Sequence, residues 1–230
     1  MKLWLIRHGM TKGNQEHRYV GTTDEDLLPE EKERLQARAT DMDLHPAVVF
    51  VSPARRCRET AACLFSGAAP ELIVVPEFME MNFGAFEYMS WPEIDQDPDP
   101  AHRAAYQRYI DSNGETAFPE GESKAAFTKR VCDGFERAVL PRIQALMKAA
   151  DATVASETEA GMEREIIFKL QDHRSVEDAR PECSGEDIAI VAHGGTIMAL
   201  MERYAEPYKP YFEWSVKPGE GYRLDLTCRS

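Results

Sequence analysis

Two histidines near opposite ends of the chain are the residues whose type and position most suggest chemistry. His8, with Arg7 beside it, follows the apolar residues 3–6, and His193 follows the apolar residues 188–192. Runs as continuously apolar as these fit strands that helices cover on both faces. Because ligands in open α/β sheets bind beyond the carboxyl ends of the strands, the two histidines and the arginine are expected in one pocket.

The residue types in this pocket suit phosphoryl transfer. Histidine is a competent covalent nucleophile, and its ordinary pKa of ~6.5 leaves a useful fraction neutral. His8 is therefore a candidate for in-line attack on phosphorus, which would give a phosphohistidine that water later hydrolyses. Charge on the equatorial oxygens must also be stabilised, and Arg7 and Arg56 offer fixed forks of hydrogen-bond donors for this task.

The elements that would position these side chains alternate between strands and helices. A chain of 230 residues with 43% hydrophobic residues is within the range of one α/β domain, so we expect a single domain over residues 1–230. Short apolar runs predict further strands, and longer segments with helical spacing predict helices. The predicted strands are 48–51 and 72–75, and the predicted helices are 29–43, 54–65 and 123–150, the last kinked at Pro141.

Three later segments need separate interpretations. Residues 80–122 are rich in aromatics, aspartate and proline, which predicts an excursion that covers the pocket and holds a short helix at 102–110. Residues 152–187 have few large apolar side chains and several acids, which predicts an insertion that is partly helical at Met162–Leu170. Residues 221–226 alternate between apolar and polar, as a one-sided edge strand does.

The charge of the chain narrows the class of partner. A net charge of −13 at pH 7 opposes a large basic face, so neither nucleic acid nor an anionic membrane surface is expected to bind. A small anionic substrate remains compatible with this charge, provided that a local cluster of arginines overrides the global sign. The sequence leaves a monomer and a homodimer open.

Cysteine and histidine usage bears on compartment and cofactors. The five cysteines are odd in number and form no C-x-x-C pair, which favours reduced thiols in the cytoplasm. The remaining histidines lack ligand spacing, so we expect no metal and no other cofactor. The first residues enter a strand at once and no stretch reaches membrane-spanning length, which gives no support to export or anchoring.

Four short motifs follow the predicted strands in a fixed order. They are Arg7-His8-Gly9-Met10-Thr11, Ser52-Pro53-Ala54-Arg55-Arg56 with Glu59-Thr60-Ala61, Phe78-Met79-Glu80 and His193-Gly194-Gly195-Thr196. In this order they resemble the histidine phosphatase superfamily, also called the phosphoglycerate mutase-like family. The resemblance covers residues 1 to about 150 and resumes at about 187. It implies a three-layer α/β/α sandwich with a mostly parallel central sheet.

The resemblance also implies roles for individual residues. His8 would be the nucleophile, and His193 would hydrogen-bond the phosphoryl group, while Gly194 and Gly195 leave the backbone free to approach it closely. Gly9 and Gly194 are also expected to bind substrate. Asn14 matches a position that contacts phosphate, and residues 20–24, which include Gly21, match a segment that lines the pocket. Asn14 and Thr11 are equally compatible with simple turn formation.

The leaving oxygen needs a proton, which a carboxylic acid with a raised pKa supplies. Glu80 matches the acid of the family's Leu-x-Glu motif, although Phe78 replaces the leucine. Glu87 is the second candidate, because the Trp-Glu-Gly of phosphatase members reads Phe86-Glu87-Tyr88 here. We expect Glu80 to be the acid.

The sequence between the acid and the long helix indicates a branch of the family. In place of the Gly-Leu-Asn-Lys stretch of cofactor-dependent mutases, the chain has Phe83-Gly84-Ala85-Phe86-Glu87, then Trp91-Pro92-Glu93-Ile94 and Gly121-Glu122-Ser123. These motifs resemble the phosphatase branch and, within it, the α-ribazole phosphatases. They predict a phosphomonoesterase that acts on a small phosphate ester. A phosphoglycerate mutase-type transfer and a non-catalytic module that binds phosphorylated ligands are the alternatives.

Overall fold

A mixed sheet forms the centre of the fold. The structure is a computed structural model that describes residues 1–42, 45–152, 166–170 and 187–228. In these residues the sheet has seven strands, which are β1 (Lys2–Arg7), β2 (Val48–Val51), β3 (Glu71–Val74), β4 (Ile166–Leu170), β5 (Ile188–Ala192), β6 (Ala205–Glu206) and β7 (Gly221–Cys228). Their order in the sheet is β3-β2-β5-β1-β7-β4-β6.

Most strand pairs are parallel, which confirms the α/β prediction. Strand β5 pairs in parallel with β1 and β2, β2 with β3, and β4 with β6, whereas β7 runs antiparallel to β1 and β4. Arg7 lies opposite Ala192, and Val51 lies opposite Val191. The residues that follow β1, β2 and β5 therefore leave the sheet at one edge, which is where the candidate site lies.

Helices cover both faces of this sheet. The helices are α1 (Lys12–Gln15), α2 (Pro29–Met42), α3 (Arg55–Leu64), α4 (Trp91–Asp95), α5 (Pro100–Asp111), α6 (Lys124–Gly134), α7 (Leu140–Ala152) and α8 (Gly194–Tyr204). Leu3 and Leu5 point to one core, with residues of α6, α7 and α8, and Trp4 and Ile6 point to another, with residues of α2 and α3. This alternation along β1 produces the three layers. No helix in the described ranges is long and apolar enough to cross a membrane.

The excursion (residues 80–122) has an aromatic core of its own. Phe86, Tyr106, Tyr109 and Phe118 are buried together, and the rings of Tyr109 and Phe118 stack at 3.9 Å between centroids. Within it, the segment that begins at Trp91 forms helix α4, which the irregular composition of the excursion does not predict. Proline near the start of α4 and a capping box between Ser90 and Glu93 explain this helix.

The long helix predicted over 123–150 is interrupted. Helix α6 ends at Gly134, a π-helical turn spans Phe135–Val139, and α7 begins at Leu140. Pro141 lacks an N–H group and its ring crowds the carbonyl of residue 137, so the regular hydrogen-bond ladder breaks in the turn before the proline.

Two predictions about the last third of the chain are wrong. Residues 166–170, predicted as part of a helix at Met162–Leu170, form strand β4, because the run Ile166-Ile167-Phe168 pairs with β7 instead. Residues 162–165 and most of the insertion (residues 152–187) lie outside the described residues. Residues 221–226 belong to β7, which is an interior strand, and β3 and β6 are the edges. Alternation indicates one covered face and carries no information about strand order.

Candidate active site

His8 follows β1 and is held by the backbone around it. Its side chain is buried, its backbone N–H donates to the carbonyl of Ala192 at 2.9 Å, and its Nδ1 lies 2.7 Å from the carbonyl oxygen of Gly9. A carbonyl only accepts, so Nδ1 carries the proton and Nε2 keeps its lone pair. The Gly9 N–H donates to Thr60 Oγ1 at 2.9 Å, which ties this turn to α3. The geometry therefore presents a nucleophilic Nε2.

The electrostatic setting of His8 favours the neutral imidazole. Burial lowers its pKa well below 6.5, and the guanidinium groups of Arg56 and Arg7 lower it further. At neutral pH the ring is therefore unprotonated at Nε2 and available as a nucleophile.

His193 lies beside His8 at the start of α8. The two ring centroids are 5.2 Å apart with planes at 67°, and His193 has no exposed surface. Its Nε2 shares a hydrogen bond of 2.8 Å with Oγ of Ser52, which is also fully buried, and Cys57 Sγ lies 3.6 Å from the same nitrogen. Burial, followed by the charge of Arg56, lowers the pKa of His193 well below 6.5. Both histidines are thus held neutral.

Two arginines complete the positive side of the pocket. Arg7 Nη1 donates to the carbonyl of Val216 at 2.7 Å, and its guanidinium lies against Gly194. Arg56 is fully buried and donates to backbone carbonyls of the segment 20–23. The Nε atoms of both arginines are buried and have no hydrogen-bond partner in the described part of the chain. A buried donor without an acceptor is unfavourable, so an anion in this pocket would satisfy both.

Glu80 is bound at both carboxylate oxygens. Oε1 accepts from the N–H of Met81 at 2.9 Å, and Oε2 accepts from the N–H of Gly195, in the first turn of α8, at 3.1 Å. Burial raises the pKa of Glu80 above its ordinary value, although these two amides and the nearby arginines oppose the shift. The raised pKa gives Glu80 the property that a proton donor to a leaving oxygen requires.

Glu87 and Asn14 have structural partners in this structure. Glu87 Oε1 accepts from the N–H groups of Gly21 and Thr23, both at 2.9 Å. Asn14 Oδ1 accepts from the N–H of Thr11 at 3.4 Å, and Thr11 Oγ1 accepts from the N–H of Asn14 at 3.3 Å, which caps α1. The roles of these residues and of Gly9, Gly21 and Gly194 toward a substrate stay predictions.

Two further residues hold the site, although their sequence positions assign them no role. Ser52 belongs to one of the four motifs, but no spacing rule links it to His193. Arg130, on α6, donates to the carbonyls of Glu77 and Met79 at 2.7 and 3.0 Å, just before Glu80, the candidate acid. Neither partnership follows a sequence period, so only the packed structure reveals it. Within the described ranges, no group of three or more potential metal ligands occurs.

The fold and the pocket together define a class of protein: α/β proteins in which two neutral histidines and two arginines lie together at the carboxyl ends of parallel strands. The family profile of the histidine phosphatase superfamily (branch 1) matches residues 3–145. The chain belongs to this superfamily.

Individual relatives are distant. A candidate phosphoserine phosphatase of Hydrogenobacter thermophilus is 28% identical over 133 residues, which are 56% of this chain and 63% of the relative. The probable phosphoglycerate mutase GpmB of Escherichia fergusonii is 23% identical over 132 residues, 57% of this chain and 60% of the relative. The chain thus matches less than two thirds of the length of these curated relatives.

Solved structures share the fold. The α-ribazole phosphatase of Shigella flexneri aligns with a TM-score of 0.66 and 22% identity, over 100% of this chain and 95% of that chain. The protein TTHB049 of Thermus thermophilus aligns with a TM-score of 0.58 and 24% identity, over 100% and 99% of the two chains. At these identities the likeness concerns the fold alone, and it agrees with the predicted three-layer architecture.

Proposed function

We propose that this chain is a phosphomonoesterase that hydrolyses a small phosphorylated metabolite through a phosphohistidine at His8. One observation carries the proposal: the Nε donors of Arg7 and Arg56, buried and without a hydrogen-bond partner among the described residues, lie beside two neutral histidines. A phosphoryl group supplies the acceptors that these donors lack, and its phosphorus is the electrophile that a neutral Nε2 attacks.

The proposed reaction has two displacement steps. In the first, His8 Nε2 bonds to phosphorus while the ester P–O bond breaks, and Glu80 gives its proton to the leaving oxygen. Arg7, Arg56 and the N-terminal amides of α8 stabilise the charge on the equatorial oxygens, together with His193. In the second, water attacks phosphorus, the N–P bond breaks, and Glu80 takes the proton from the water. The first step leaves His8 phosphorylated and Glu80 ionised, and the second step restores the free imidazole of His8 and the protonated carboxyl of Glu80.

For the substrate, we propose α-ribazole 5′-phosphate. The motifs at 83–87, 91–94 and 121–123 support it through their resemblance to α-ribazole phosphatases. The α-ribazole phosphatase from Shigella flexneri has the same fold, which is compatible with this substrate. Because one curated relative is named a phosphoserine phosphatase, phosphoserine is the first substrate to compare with α-ribazole 5′-phosphate.

The relative named GpmB motivates a second candidate function, phosphoglycerate mutation. A mutase returns the phosphoryl group from His8 to the substrate, whereas a phosphatase gives it to water. A need for a bisphosphate primer, with phosphoglycerate interconversion faster than phosphate release, would favour this candidate.

The test is phosphate release in EDTA at slightly acidic pH. Substrates are α-ribazole 5′-phosphate, phosphoserine, 3-phosphoglycerate and p-nitrophenyl phosphate, and the enzymes are wild type, His8→Ala and His102→Ala. His102 is a half-exposed histidine that pairs with Asp97 on the excursion, so it is the matched control. We expect turnover in wild type and the control, none in His8→Ala, and an alkali-stable phosphoenzyme in wild type and the control but not in His8→Ala.

Three results would contradict the proposal. Activity that persists in His8→Ala would show that His8 is not the nucleophile. Activity that EDTA abolishes would show that the reaction depends on a metal ion. Phosphate binding by calorimetry without turnover of any ester would instead favour a non-catalytic module that binds phosphorylated ligands.

A further inference from the structure

The segment 20–23, which we call the carbonyl loop, lies between Glu87 and Arg56. We propose that Glu87 is a positioning residue that sets the guanidinium of Arg56 through this loop. The inference rests on the proposed function insofar as Arg56 is taken to bind the phosphoryl group. It assigns Glu87 a task different from proton donation.

One side of the carbonyl loop faces Glu87. Oε1 of Glu87 accepts from the N–H of Gly21 and from the N–H of Thr23, each at 2.9 Å. A carboxylate that accepts two amide protons makes strong, charge-assisted hydrogen bonds. Gly21 packs so closely here that an added Cβ would lie 2.1 Å from the carbonyl oxygen of Met81. The loop is therefore pressed against the excursion at this point.

The other side of the loop faces Arg56. Its Nη1 donates to the carbonyl of Thr23 at 2.7 Å, and its Nη2 donates to those of Gly21 at 2.9 Å and Val20 at 3.3 Å. In the part of the chain that the structure describes, these carbonyls are the hydrogen-bond partners of the guanidinium, and no carboxylate pairs with it. The orientation of Arg56 therefore depends on where the loop places three oxygens.

A single peptide group links the two sides. The carbonyl of Val20 and the N–H of Gly21 belong to the same planar trans peptide, so they point in opposite directions. The N–H is bound by Glu87 and the carbonyl by Arg56. Hydrogen bonds in such a chain polarise one another, so the negative charge of Glu87 strengthens the acceptor that holds Arg56. Moving Glu87 must tilt this peptide and with it the guanidinium.

The arrangement differs from what a general acid needs. The hydrogen bonds of Glu87 in the described residues go to the amides of Gly21 and Thr23 in the carbonyl loop, on the side away from Arg56. Glu80, by contrast, lies at the first turn of α8 beside His193. Loss of Glu87 should thus weaken phosphoryl binding for every substrate, independently of how basic the leaving oxygen is.

The experiment is a double-mutant cycle with inorganic phosphate as the probe. Isothermal calorimetry measures the phosphate Kd of wild type, Glu87→Gln, Arg56→Lys and the double variant, which requires no turnover. Lysine keeps the charge at position 56 but loses the planar fork. Glu25→Gln is the matched control, because Glu25 binds Gly13 N–H and Tyr88 Oη beside the loop without reaching Arg56.

If Glu87 positions Arg56 through the carbonyl loop, we expect the following results. Glu87→Gln weakens phosphate binding about tenfold in the wild-type background and less than about twofold in the Arg56→Lys background, because groups in one hydrogen-bond network couple. Glu87→Asp, which keeps the charge, recovers part of the loss. Glu25→Gln and Arg56→Lys combine additively. Steady-state kinetics with p-nitrophenyl phosphate and phosphoserine show equal fractional losses in kcat/KM for Glu87→Gln.

Several outcomes would overturn it. Additive losses for Glu87→Gln and Arg56→Lys would show that Glu87 acts independently of Arg56. Unchanged phosphate binding with activity lost on phosphoserine alone would make Glu87 a proton donor instead. Coupled phosphate binding without turnover of any ester would uphold the positioning role while refuting the proposed phosphatase, and absence of phosphate binding in wild type would refute both.

Discussion

Two separate features give the imidazole of His8 the state that the proposed attack on phosphorus requires. The carbonyl of Gly9 fixes the proton on Nδ1, and burial beside Arg7 and Arg56 keeps Nε2 unprotonated. The carboxyl of Glu80 experiences the opposite shift, since its burial favours the protonated acid. Environments that push the pKa values of a base and an acid in the directions of their tasks are typical of catalytic pairs.

These two shifts predict an acid-shifted profile of kcat/KM against pH. Activity falls with decreasing pH only as His8 protonates, well below its ordinary 6.5, and falls with increasing pH as Glu80 ionises, above its ordinary 4.5. Glu80→Gln should lose the alkaline limb and about a hundredfold in kcat/KM on phosphoserine, with a smaller loss on p-nitrophenyl phosphate. The phosphate group of the substrate titrates in both enzymes, so the difference isolates Glu80. An alkaline limb that survives in Glu80→Gln would reject this assignment.

Ser52 is expected to matter because its hydroxyl satisfies the buried His193. Among the described residues, Ser52→Ala leaves the thiol of Cys57 as the polar group near His193 Nε2. An unsatisfied buried group costs about 1–3 kcal/mol, which, if lost from the transition state, is about fivefold to 150-fold in kcat/KM. Cys57→Ala is the control, since burial raises the pKa of this thiol to about 12 and its hydrogen bond is weak. Equal kinetics of the two variants would argue against the role of Ser52.

The sequence predicts the strands that position the candidate site better than it predicts the order of the strands in the sheet. The apolar runs before His8 and His193 are continuous because β1 and β5 are covered on both faces. Hydrophobicity alone therefore predicts these strands and the polar residues that follow them. The run at 166–168 is equally apolar but too short to distinguish a strand from a helix. Strand order and the hydrogen bonds of Glu87 and Ser52 depend on contacts between segments that are distant in sequence. A local sequence pattern does not predict such contacts.

The start of α8 links Glu80, the proposed acid, to His193. His193 is its N-cap, and Gly195 in its first turn donates to Glu80. A Cβ at Gly195 would lie 2.3 Å from Glu80 Oε1 and 3.1 Å from the ring of Phe127. The carboxylate is the flexible end of a side chain, so it would move while the helix stays.

Gly195→Ala should therefore impair catalysis more than folding. We expect kcat/KM on phosphoserine to fall about as far as in Glu80→Gln, with about 1 kcal/mol lost from the free energy of unfolding. Gly67→Ala, where an added Cβ meets nothing within 4 Å, should change neither quantity. Urea unfolding and steady-state kinetics on the three variants check this. Full activity in Gly195→Ala would show that Glu80 tolerates displacement.

At the scale of the whole molecule, the charge of the chain and the charge of the pocket have opposite signs. The net charge is −13, yet Arg7 and Arg56 face two histidines that burial keeps uncharged. Packing four potential cations together is tolerable because two of them give up their protons. The same arrangement makes the folded state sensitive to acid, since the unfolded chain has no such restriction.

Stability should accordingly decrease below pH 6.5. In the unfolded chain His8 and His193 protonate near 6.5, whereas in the folded chain they protonate well below it, so between these values the unfolded state binds more protons. Each histidine contributes at most about 1.4 kcal/mol per pH unit to the decline. Glu80 opposes part of it, because its folded-state pKa is raised and the folded state then holds an extra proton.

The measurement is urea unfolding from pH 7.5 to 5.5 for wild type and for His8→Asn combined with His193→Asn. Asparagine does not titrate, so the double variant should lose less stability than wild type over this range, while all other groups titrate alike in both. Inorganic phosphate, which we propose binds the folded pocket, should raise the midpoint of wild type in a concentration-dependent way, and should raise that of the double variant less, because the variant keeps Arg7 and Arg56 but lacks the two imidazoles. Parallel pH dependences in the two proteins would mean that folding does not lower the pKa values of His8 and His193, which would contradict the electrostatic setting described for the pocket.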